Sequence, residues 1–166
     1  MTVMKQSNKG MIILDMYNPI YLSTLETFSL PDEQRQFTGM PLEMIKLAKE
    51  DHSRNPIVIL NHNNPVGFFV LQNGARVVEY TDNPNALLLI AFSINETEQG
   101  KGFAKDGLQL LDKFVKQHFP TINEIVLAVN MRNNAARQLY ERVGFIDKGI
   151  RKMGQIGEQA ILSLQL

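Results

Sequence analysis

The chain has 166 residues, of which 44% are hydrophobic and 20% are charged. This composition is typical of one soluble globular domain that buries its own core. Lys plus Arg and Asp plus Glu both number 17, so the formal charge is zero. Domains that bind nucleic acid usually carry a basic excess, and we expect no nucleic-acid partner. The sequence contains no cysteine, which excludes disulfides and thiolate chemistry.

Targeting and metal-binding signals are not visible in the sequence. The first ten residues are polar, and no apolar run approaches the roughly 20 residues of a membrane span. We therefore expect no secretory signal, no membrane partner and a cytoplasmic location. His52, His62 and His118 lie far apart without the spacing of metal ligands, so we predict no metal site.

The first half of the chain alternates apolar runs with turn signals. In chain order, the patterns predict a strand at Met11–Met16, a helix at Pro19–Phe28, a helix that begins at Pro41, and strands at Ile57–Leu60 and Val66–Leu71. The polar residues between the last two strands form a turn, so these strands are predicted to make a hairpin.

The second half begins with a short strand at Val77–Tyr80 and a wholly apolar strand at Ala86–Ile94. The apolar strand shows no polar alternation, which indicates a strand covered on both faces by helices. The remaining predicted elements are a long helix at Gly100–Phe119, a strand at Glu124–Val129, a helix at Ala135–Val143, and a closing hairpin at Phe145–Met153 and Ala160–Leu164. The order therefore favours an α/β fold.

The run from Gln99 to Ala104 joins the apolar strand to the long helix through Gly100 and Gly102. N–H groups in the first turn of a helix have no partner and lie at the positive end of the helix dipole. Glycine lets the backbone approach a phosphate closely, so this turn is predicted to hold a phosphorylated ligand. The candidate ligand-binding groups are the N–H groups of Gly100, Gly102, Phe103 and Ala104 and the side chains of Gln99, Lys101 and Lys105.

Two other phosphate-binding motifs do not match this turn. No segment supplies a Walker-type loop, and a dinucleotide fingerprint fails because Lys105 stands where its third glycine belongs. A plain helix start with two turn glycines, and two solvated lysines at Lys101 and Lys105, remain open alternatives.

A second motif, in residues 127–145, changes the interpretation. The chain resembles the GNAT acyltransferase superfamily, whose hallmark is [QR]-x-x-G-x-[GA] after a central strand. That hallmark is followed by a pattern like L-x-V-x-x-x-N-x-x-A-x-x-L-Y-x-x-x-G-F. The matching residues are Gln99, Gly102 and Ala104 in the first pattern, and Leu127, Val129, Asn133, Ala136, Leu139, Tyr140, Gly144 and Phe145 in the second.

The resemblance implies a GNAT-like acyl-CoA N-acyltransferase fold, a strongly twisted mixed sheet with helices on both faces, over a single domain at residues 1–166. It implies that the strands at Leu87–Ile94 and Glu124–Val129 splay apart to admit acetyl-CoA. It also implies direct acetyl transfer to a primary amine of a small molecule or peptide. The ending, residues 153–159, is similar to the last hairpin of some amine-acetylating members, which favours a small amine, such as a polyamine.

The resemblance assigns roles to several residues. The main chain of Ile94 would face the acetyl or pantetheine arm, Asn133 would contact the pantetheine, and Ala136 would join the cofactor-binding residues. Tyr140 would protonate the CoA thiolate as a general acid. The alternatives are a core isoleucine, an asparagine that caps the next helix, and a buried tyrosine with a satisfied hydroxyl.

The general base is not apparent, because the strand at Ala86–Ile94 contains no carboxylate and its only polar side chain is Ser93. We name Glu79 as the candidate base, with Asp82, Glu96, Glu98 or an ordered water as alternatives. Each of these acids is equally at home as a solvated surface residue.

A rival function is a non-catalytic acyl-CoA-binding or sensing domain of the same fold. The tyrosine argues against it, and the missing strand carboxylate argues for it. Acetylation of proteins such as histones is disfavoured because no docking extension is visible. Dimers are common in this family, so a homodimer is an open expectation.

Overall fold

The computed structural model describes residues 3–7 and 10–166. The sequence-based expectation about the first ten residues includes Met1, Thr2, Asn8 and Lys9, which lie outside the described residues. The strands are β1 (Val3–Ser7), β2 (Gly10–Met16), β3 (Arg54–Asn61), β4 (Asn64–Gln72), β5 (Ala86–Ile94), β6 (Glu124–Asn130), β7 (Ile146–Gly154) and β8 (Gly157–Gln165). They form one eight-stranded sheet in the order β1-β2-β3-β4-β5-β6-β8-β7.

The sheet is mixed, because β5 and β6 pair in parallel while the other neighbours pair antiparallel. The helices are α1 (Leu22–Leu25), α2 (Asp32–Arg35), α3 (Pro41–Glu50), α4 (Phe103–Gln109), α5 (Leu111–His118) and α6 (Asn134–Arg142). The expected α/β fold with a mixed sheet is therefore confirmed.

Two layers of helices cover the two faces of the sheet. Leu25 of α1 and Ile45 of α3 pack with Phe68 on one face. Leu111 of α5 and Tyr140 of α6 pack with the core cluster on the other face. The alternation of side chains along each strand sends neighbouring residues to opposite layers, which explains why eight of the nine residues of β5 are apolar. In the described part of the chain, no helix has the length and apolar character needed to cross a membrane.

Several predicted elements are confirmed closely. The strand at Ala86–Ile94 has the predicted bounds, and the strand predicted at Glu124–Val129 extends by one residue to Asn130. The hairpin of β3 and β4 turns at His62 and Asn63, whose φ angles of 49° and 66° lie in the left-handed region. Positive φ at both central residues is the mark of a type I′ hairpin turn.

Three predictions were wrong in detail. The single helix at Gly100–Phe119 is two helices, because Leu110 interrupts it with an N–H that bonds the carbonyl of Gly107 at 3.1 Å. The helix at Pro19–Phe28 is only a 3-10 turn followed by the four-residue α1.

The strand predicted at Val77–Tyr80 is a 3-10 turn at Ala75–Glu79. Val77 is buried there against Leu88 and Val126, so the segment packs on a face of the sheet and does not pair with its strands. The sequence also gave no sign of β1, whose short polar run lacks the alternation of a half-buried strand.

A buried carboxylate ties the loop before β5 to the far strands of the sheet. Glu124, at the start of β6, is 5% exposed. It accepts hydrogen bonds from Ser163 at 2.5 Å, Thr81 at 3.1 Å, Gln165 at 3.1 Å and Asn83 at 3.2 Å. Burial alone would raise the pKa of Glu124, but the hydrogen bonds from Ser163, Asn83 and Thr81, together with the charge of Lys148, outweigh it and hold the pKa below its ordinary value.

We predict that Glu124→Gln lowers the free energy of unfolding at pH 7 by about 1–3 kcal/mol, because buried donors lose a charged acceptor. The pKa of Glu124 is lower in the folded chain than in the unfolded chain, where it is about 4.3. Its contribution is therefore complete above that pH and is lost as the pH falls through the folded pKa. Urea unfolding from pH 7 to pH 3 should show the gap between wild type and variant closing.

The matched control is Glu50→Gln, which removes an exposed carboxylate at the end of α3. It should leave the free energy of unfolding nearly unchanged at every pH. A constant gap between wild type and Glu124→Gln across the pH range would contradict the assignment.

Candidate active site

The central feature is a gap inside the sheet, between β5 and β6. The two parallel strands pair only through Ala86 with Glu124, Leu87 with Ile125, and Leu88 with Val126. Beyond Leu88 the strands have no further ladder partners with each other, although β5 has nine residues and β6 has seven. The splayed strands predicted from the resemblance are therefore present, and the gap opens toward the carboxyl ends of both strands.

A β-bulge shapes the β5 wall of this gap. The pairing of β4 with β5 shifts between Phe68, opposite Ser93, and Val70, opposite Ile90. The extra residue leaves Ala91 with a φ of 55°, a conformation that costs a non-glycine residue of order 1 kcal/mol or more. Bulges bend a strand and leave a residue unpaired, so this one turns the end of β5 away from the regular ladder.

Beyond the bulge, the main chain of Ile94 points into the gap. The N–H of the next residue, Asn95, bonds the carbonyl of Val66 on β4 at 2.9 Å. The carbonyl of Ile94 instead accepts the side-chain amide of Gln99 at 2.9 Å. Since successive residues of a strand present their backbone groups to opposite sides, the N–H of Ile94 faces away from β4.

The glycine turn lies at the open end of the gap, between β5 and α4. Gly100 has a φ of 77° and Gly102 a φ of 83°, and Gly102 is the N-cap residue of α4. A side-chain carbon built on either glycine meets no other atom within 4 Å, so the space in front of both is open. The N–H groups of Gly100, Gly102, Phe103 and Ala104 have no backbone acceptor in the described part of the chain.

Side chains around this turn are unequally available to a ligand. Lys105 is exposed, and Lys101 is exposed beside Glu98, with 3.1 Å between Nζ and Oε2. The Gln99 amide is already engaged, because it exchanges hydrogen bonds with the amide of Gln34 on α2 at 2.9 Å and 3.2 Å. Gln99 therefore braces the turn, and its backbone neighbours are the groups left free for an anion.

On the other wall, the loop after β6 leads into α6. The Asn133 side chain caps this helix by accepting the N–H of Ala136 at 3.3 Å. Ala136 is half-buried against the same core cluster as Tyr140. The helix-cap interpretation of Asn133 is thus realised in the structure, and the amide nitrogen of its side chain is the part that remains for a ligand.

Tyr140 lies on α6 with its ring enclosed by aromatic neighbours. The ring is 6.2 Å from that of Phe92 on β5 and 5.6 Å from that of Phe145, both edge-on. Burial raises the pKa of Tyr140 above its ordinary value. No described residue forms a hydrogen bond with its hydroxyl, so the satisfied buried tyrosine that we weighed as an alternative is not what the structure contains.

The candidate bases lie at opposite ends of β5. Glu79 lies on the 3-10 turn before β5, is 58% exposed at its side chain, and faces Lys152 at 3.9 Å. Together with Asp82 and Glu124 it lines a pocket of about 400 Å³ over the paired end of β5 and β6. Glu96 is exposed above the other end of β5, where it accepts a hydrogen bond from Ser29 at 3.2 Å. Glu98 is the ion-pair partner of Lys101.

The histidines have local structural surroundings. His118 lies at the end of α5, where its Nδ1 is 3.0 Å from the carbonyl of Phe114 and its ring stacks on that phenyl ring at 4.2 Å. Across the described ranges, no group of three or more His, Cys, Asp or Glu side chains is arranged to hold a metal ion.

The sequence analysis missed two features of the site. One is the set of four side chains that donate hydrogen bonds to Glu124, here called the Glu124 cage. No sequence motif predicts it, because Thr81, Asn83, Ser163 and Gln165 come from distant parts of the chain. The other is the segment from α2 to Met40, which reaches both walls of the gap. Gln34 joins it to the glycine turn, and Phe37 lies under the guanidinium of Arg132 at 5.9 Å. In the sequence, the polar character of residues 31–37 predicts only a turn or the start of a helix, and α2 begins there.

Comparison with known proteins agrees with this geometry. A model of the Acetyltransferase (GNAT) family matches residues 13–145. An uncharacterized N-acetyltransferase, YbbJ, from Bacillus subtilis (strain 168) is 43% identical over 152 residues, which is 91% of this chain and 95% of that protein. The chain therefore belongs to the GNAT acetyltransferase family. It is an acetyl-CoA-dependent N-acetyltransferase.

Two solved structures share the fold at low sequence identity. The aminoglycoside acetyltransferase AAC(6')-Ib in complex with coenzyme A and kanamycin has a TM-score of 0.72 at 17% identity, covering 93% of this chain and 94% of that chain. The spermidine N-acetyltransferase from Vibrio cholerae in complex with CoA and spermine has a TM-score of 0.68 at 17% identity, covering 93% of this chain and 95% of that chain. The fold of the whole described sheet is thus shared with enzymes of this class.

We predict that Gly102→Asp abolishes CoA binding. The new carboxylate fills the open space before the turn and repels a phosphate, which corresponds to a loss of roughly 100-fold or more in affinity. Isothermal titration with CoA measures this loss.

Gly149→Asp is the matched control. Gly149 has a φ of 87° and the same open space around a built side-chain carbon, but it lies on the edge strand β7. Both variants should lose about 1 kcal/mol of stability from the left-handed conformation. If Gly102→Asp binds CoA as tightly as Gly149→Asp does, the glycine turn is not the phosphate site.

Proposed function

We propose that this enzyme transfers the acetyl group of acetyl-CoA directly to a primary amine of a small molecule or peptide, and that residues 1–166 act as a single catalytic domain. The observation that carries the proposal is the gap between β5 and β6, with the glycine turn at its open end and a Tyr140 hydroxyl to which no described residue is hydrogen-bonded. A cytoplasmic location and a homodimer stay predictions.

The residues support a division of labour on acetyl-CoA. The free N–H groups of the glycine turn would bind the pyrophosphate, with Lys101 and Lys105 adding positive charge nearby. The pantetheine arm would lie between the splayed strands, where Asn133 and Ala136 border it. The N–H of Ile94 would donate to the thioester carbonyl and so stabilise negative charge that develops on its oxygen.

In the transfer step the neutral amine nitrogen forms a bond to the carbonyl carbon, and the carbon–sulfur bond breaks. The amine releases a proton to a base, for which Glu79 is our candidate; it would act through intervening water, because it lies over the paired end of β5 and β6 and away from Ile94. The sulfur takes a proton from Tyr140 as the thiol leaves. Burial raises the pKa of Tyr140, so the phenol carries its proton near neutral pH and has it to give to the leaving sulfur.

A small amine or a peptide terminus fits this site better than a nucleic acid, because the net charge is zero. The structural neighbours in complex with kanamycin and with spermine hold small molecules that carry several amines, which supports a small basic acceptor for this chain as well. The rival interpretation, a non-catalytic acyl-CoA sensor, leaves the unbonded Tyr140 hydroxyl without a purpose.

The function is tested by mixing the enzyme and acetyl-CoA with spermidine, kanamycin or a short peptide that has a free N-terminus. We expect continuous release of free thiol with at least one of them, and mass spectrometry should find one acetyl group added to that amine. CoA binding with no thiol release beyond hydrolysis would instead support the sensor.

We predict that Tyr140→Phe lowers kcat by roughly 10- to 100-fold, the low end for a general acid, because a thiolate is a tolerable leaving group. The affinity for acetyl-CoA should stay the same, since the contact gains strength only as charge develops on sulfur. Stability should also be kept, because the hydroxyl has no protein partner.

Tyr21→Phe is the control, since its hydroxyl donates to Asp15 at 2.6 Å on another part of the sheet. It should cost stability and leave kcat intact. Weaker acetyl-CoA binding with unchanged kcat in Tyr140→Phe would make Tyr140 a packing residue instead.

We predict that the rate rises from pH 6 to pH 9, because only the neutral amine attacks. Tyr140 adds no falling limb in this range, since burial raises its pKa above 10.0. Glu79→Gln should lower kcat and leave acetyl-CoA affinity alone, with the exposed Glu50→Gln as control. A flat profile with chemistry rate-limiting would contradict direct attack by a free amine, and an unchanged kcat in Glu79→Gln would remove that residue as the base.

A further inference from the structure

Ser93 is a buried polar residue whose side chain has no hydrogen-bond partner among the described residues. The buried polar residues are Gln72, Ser93, Glu124, Asn130 and Ser163. Among them, only Ser93, which is 5% exposed, has a side-chain oxygen that is closed off from solvent and unbonded. A buried unsatisfied hydroxyl costs stability, and in a folded protein it calls for a functional explanation.

Ser93 lies just after the bulge, on the part of β5 that is paired with β4 and not with β6. It is opposite Phe68 in the ladder, so both side chains project from the same face of the sheet. Phe68 packs with α1 and α3, whereas Tyr140 belongs to the core cluster on the other face. Ser93 therefore lies across β5 from the proposed general acid.

A short segment crosses the gap on the Ser93 side. Phe37 contacts Arg132, which follows β6, and Met40 packs with the cluster around Phe68 on β4. Three residues span at most about 10 Å, so Thr38 and Gly39 bridge the short distance between Arg132, after β6, and the cluster that contains Phe68. The hydroxyl of Thr38 is also closed off from solvent and unbonded.

We propose that Ser93 is an acceptor-binding residue, and that the amine enters between the crossing segment, residues 37–39, and β5. This proposal rests on the proposed amine acetylation. An N–H of the acceptor donates to Oγ of Ser93, which holds the nitrogen on the face of β5 opposite Tyr140. The acceptor reaches this oxygen when the crossing segment moves off the strand, and the Thr38 hydroxyl gains a polar neighbour at the same time.

This arrangement explains why the protein keeps an unsatisfied hydroxyl. Without acceptor, the group only destabilises the fold, and with acceptor it gains its hydrogen bond. Removing this hydroxyl should therefore lower the activity without lowering the stability. Removing a hydroxyl that only holds the structure together would lower both. Acetyl-CoA lies toward the α4 and α6 side, so its binding should not depend on Ser93.

The test compares Ser93→Ala with Ser163→Ala, a buried serine whose hydroxyl bonds Glu124. Three quantities are measured: the melting temperature, the Kd for acetyl-CoA, and the kinetics with whichever of spermidine, kanamycin or a free-N-terminus peptide the wild type acetylates fastest. Ser93→Cys is the second variant, since it keeps a side chain of similar shape with weaker hydrogen bonding.

We expect Ser93→Ala to keep or raise the melting temperature, to leave the acetyl-CoA Kd and the slow hydrolysis of acetyl-CoA unchanged, and to raise the KM for the amine roughly tenfold, the worth of one good hydrogen bond. Ser93→Cys should fall between Ser93→Ala and wild type. Ser163→Ala should lower the melting temperature and leave the amine KM unchanged.

Three results would overturn the assignment. These are an unchanged amine KM in both Ser93 variants, a weaker acetyl-CoA Kd, or a melting temperature that falls as far as in Ser163→Ala. They are distinguishable from failure of the proposed function, in which the wild type itself acetylates none of the three amines and the assignment of Ser93 falls with it.

Discussion

The site depends on one constraint, the early end of parallel pairing between β5 and β6. Three ladder pairs hold the strands together at one end, and the rest of each strand is left inside the sheet without its neighbour. Meanwhile β6 stays paired with β8 over all seven of its residues. The sheet is thus open only at the gap between β5 and β6. The backbone groups along this gap need a hydrogen-bond partner, because buried N–H and C=O groups are costly when they are unbonded.

The elements around the gap carry the groups that we propose to bind acetyl-CoA. The bulge at Ala91 and Phe92 redirects the end of β5, and the glycine turn follows directly. Gln99 connects these parts, since its amide bonds both the carbonyl of Ile94 and the side chain of Gln34. The glycine turn, the end of β5 and the segment that begins at α2 are therefore held by one side chain. Tyr140 lies on one face of β5, and the side chain of Ser93 projects from the other face.

The features that could be predicted from the sequence are those encoded by neighbouring residues. The eight apolar residues among the nine of β5 predict a strand covered on both faces, and the Gly100–Gly102 turn predicts the backbone conformation that the structure contains. The N-terminal cap at Asn133 follows from residue type and position in the same way.

The features that could not be predicted depend on contacts between distant residues. Val77 to Tyr80 has the residues of a strand, but burial of Val77 over the sheet holds the segment in a 3-10 turn. The break at Leu110 leaves the helical pattern of apolar residues almost intact, and so it is invisible to that pattern. Neither the cage around Glu124 nor the missing partner of Ser93 can be recognised without knowing which strands are neighbours.

The most direct test of this account is hydrogen exchange of the full chain with and without CoA. The account predicts that CoA slows exchange of backbone amides in Leu89–Ile94, Gly100–Lys105 and Leu127–Asn130, while Ala86–Leu88 is already protected by the paired rungs. Protection confined to the pocket lined by Glu79, Asp82 and Glu124, or absent from both walls of the gap, would contradict it.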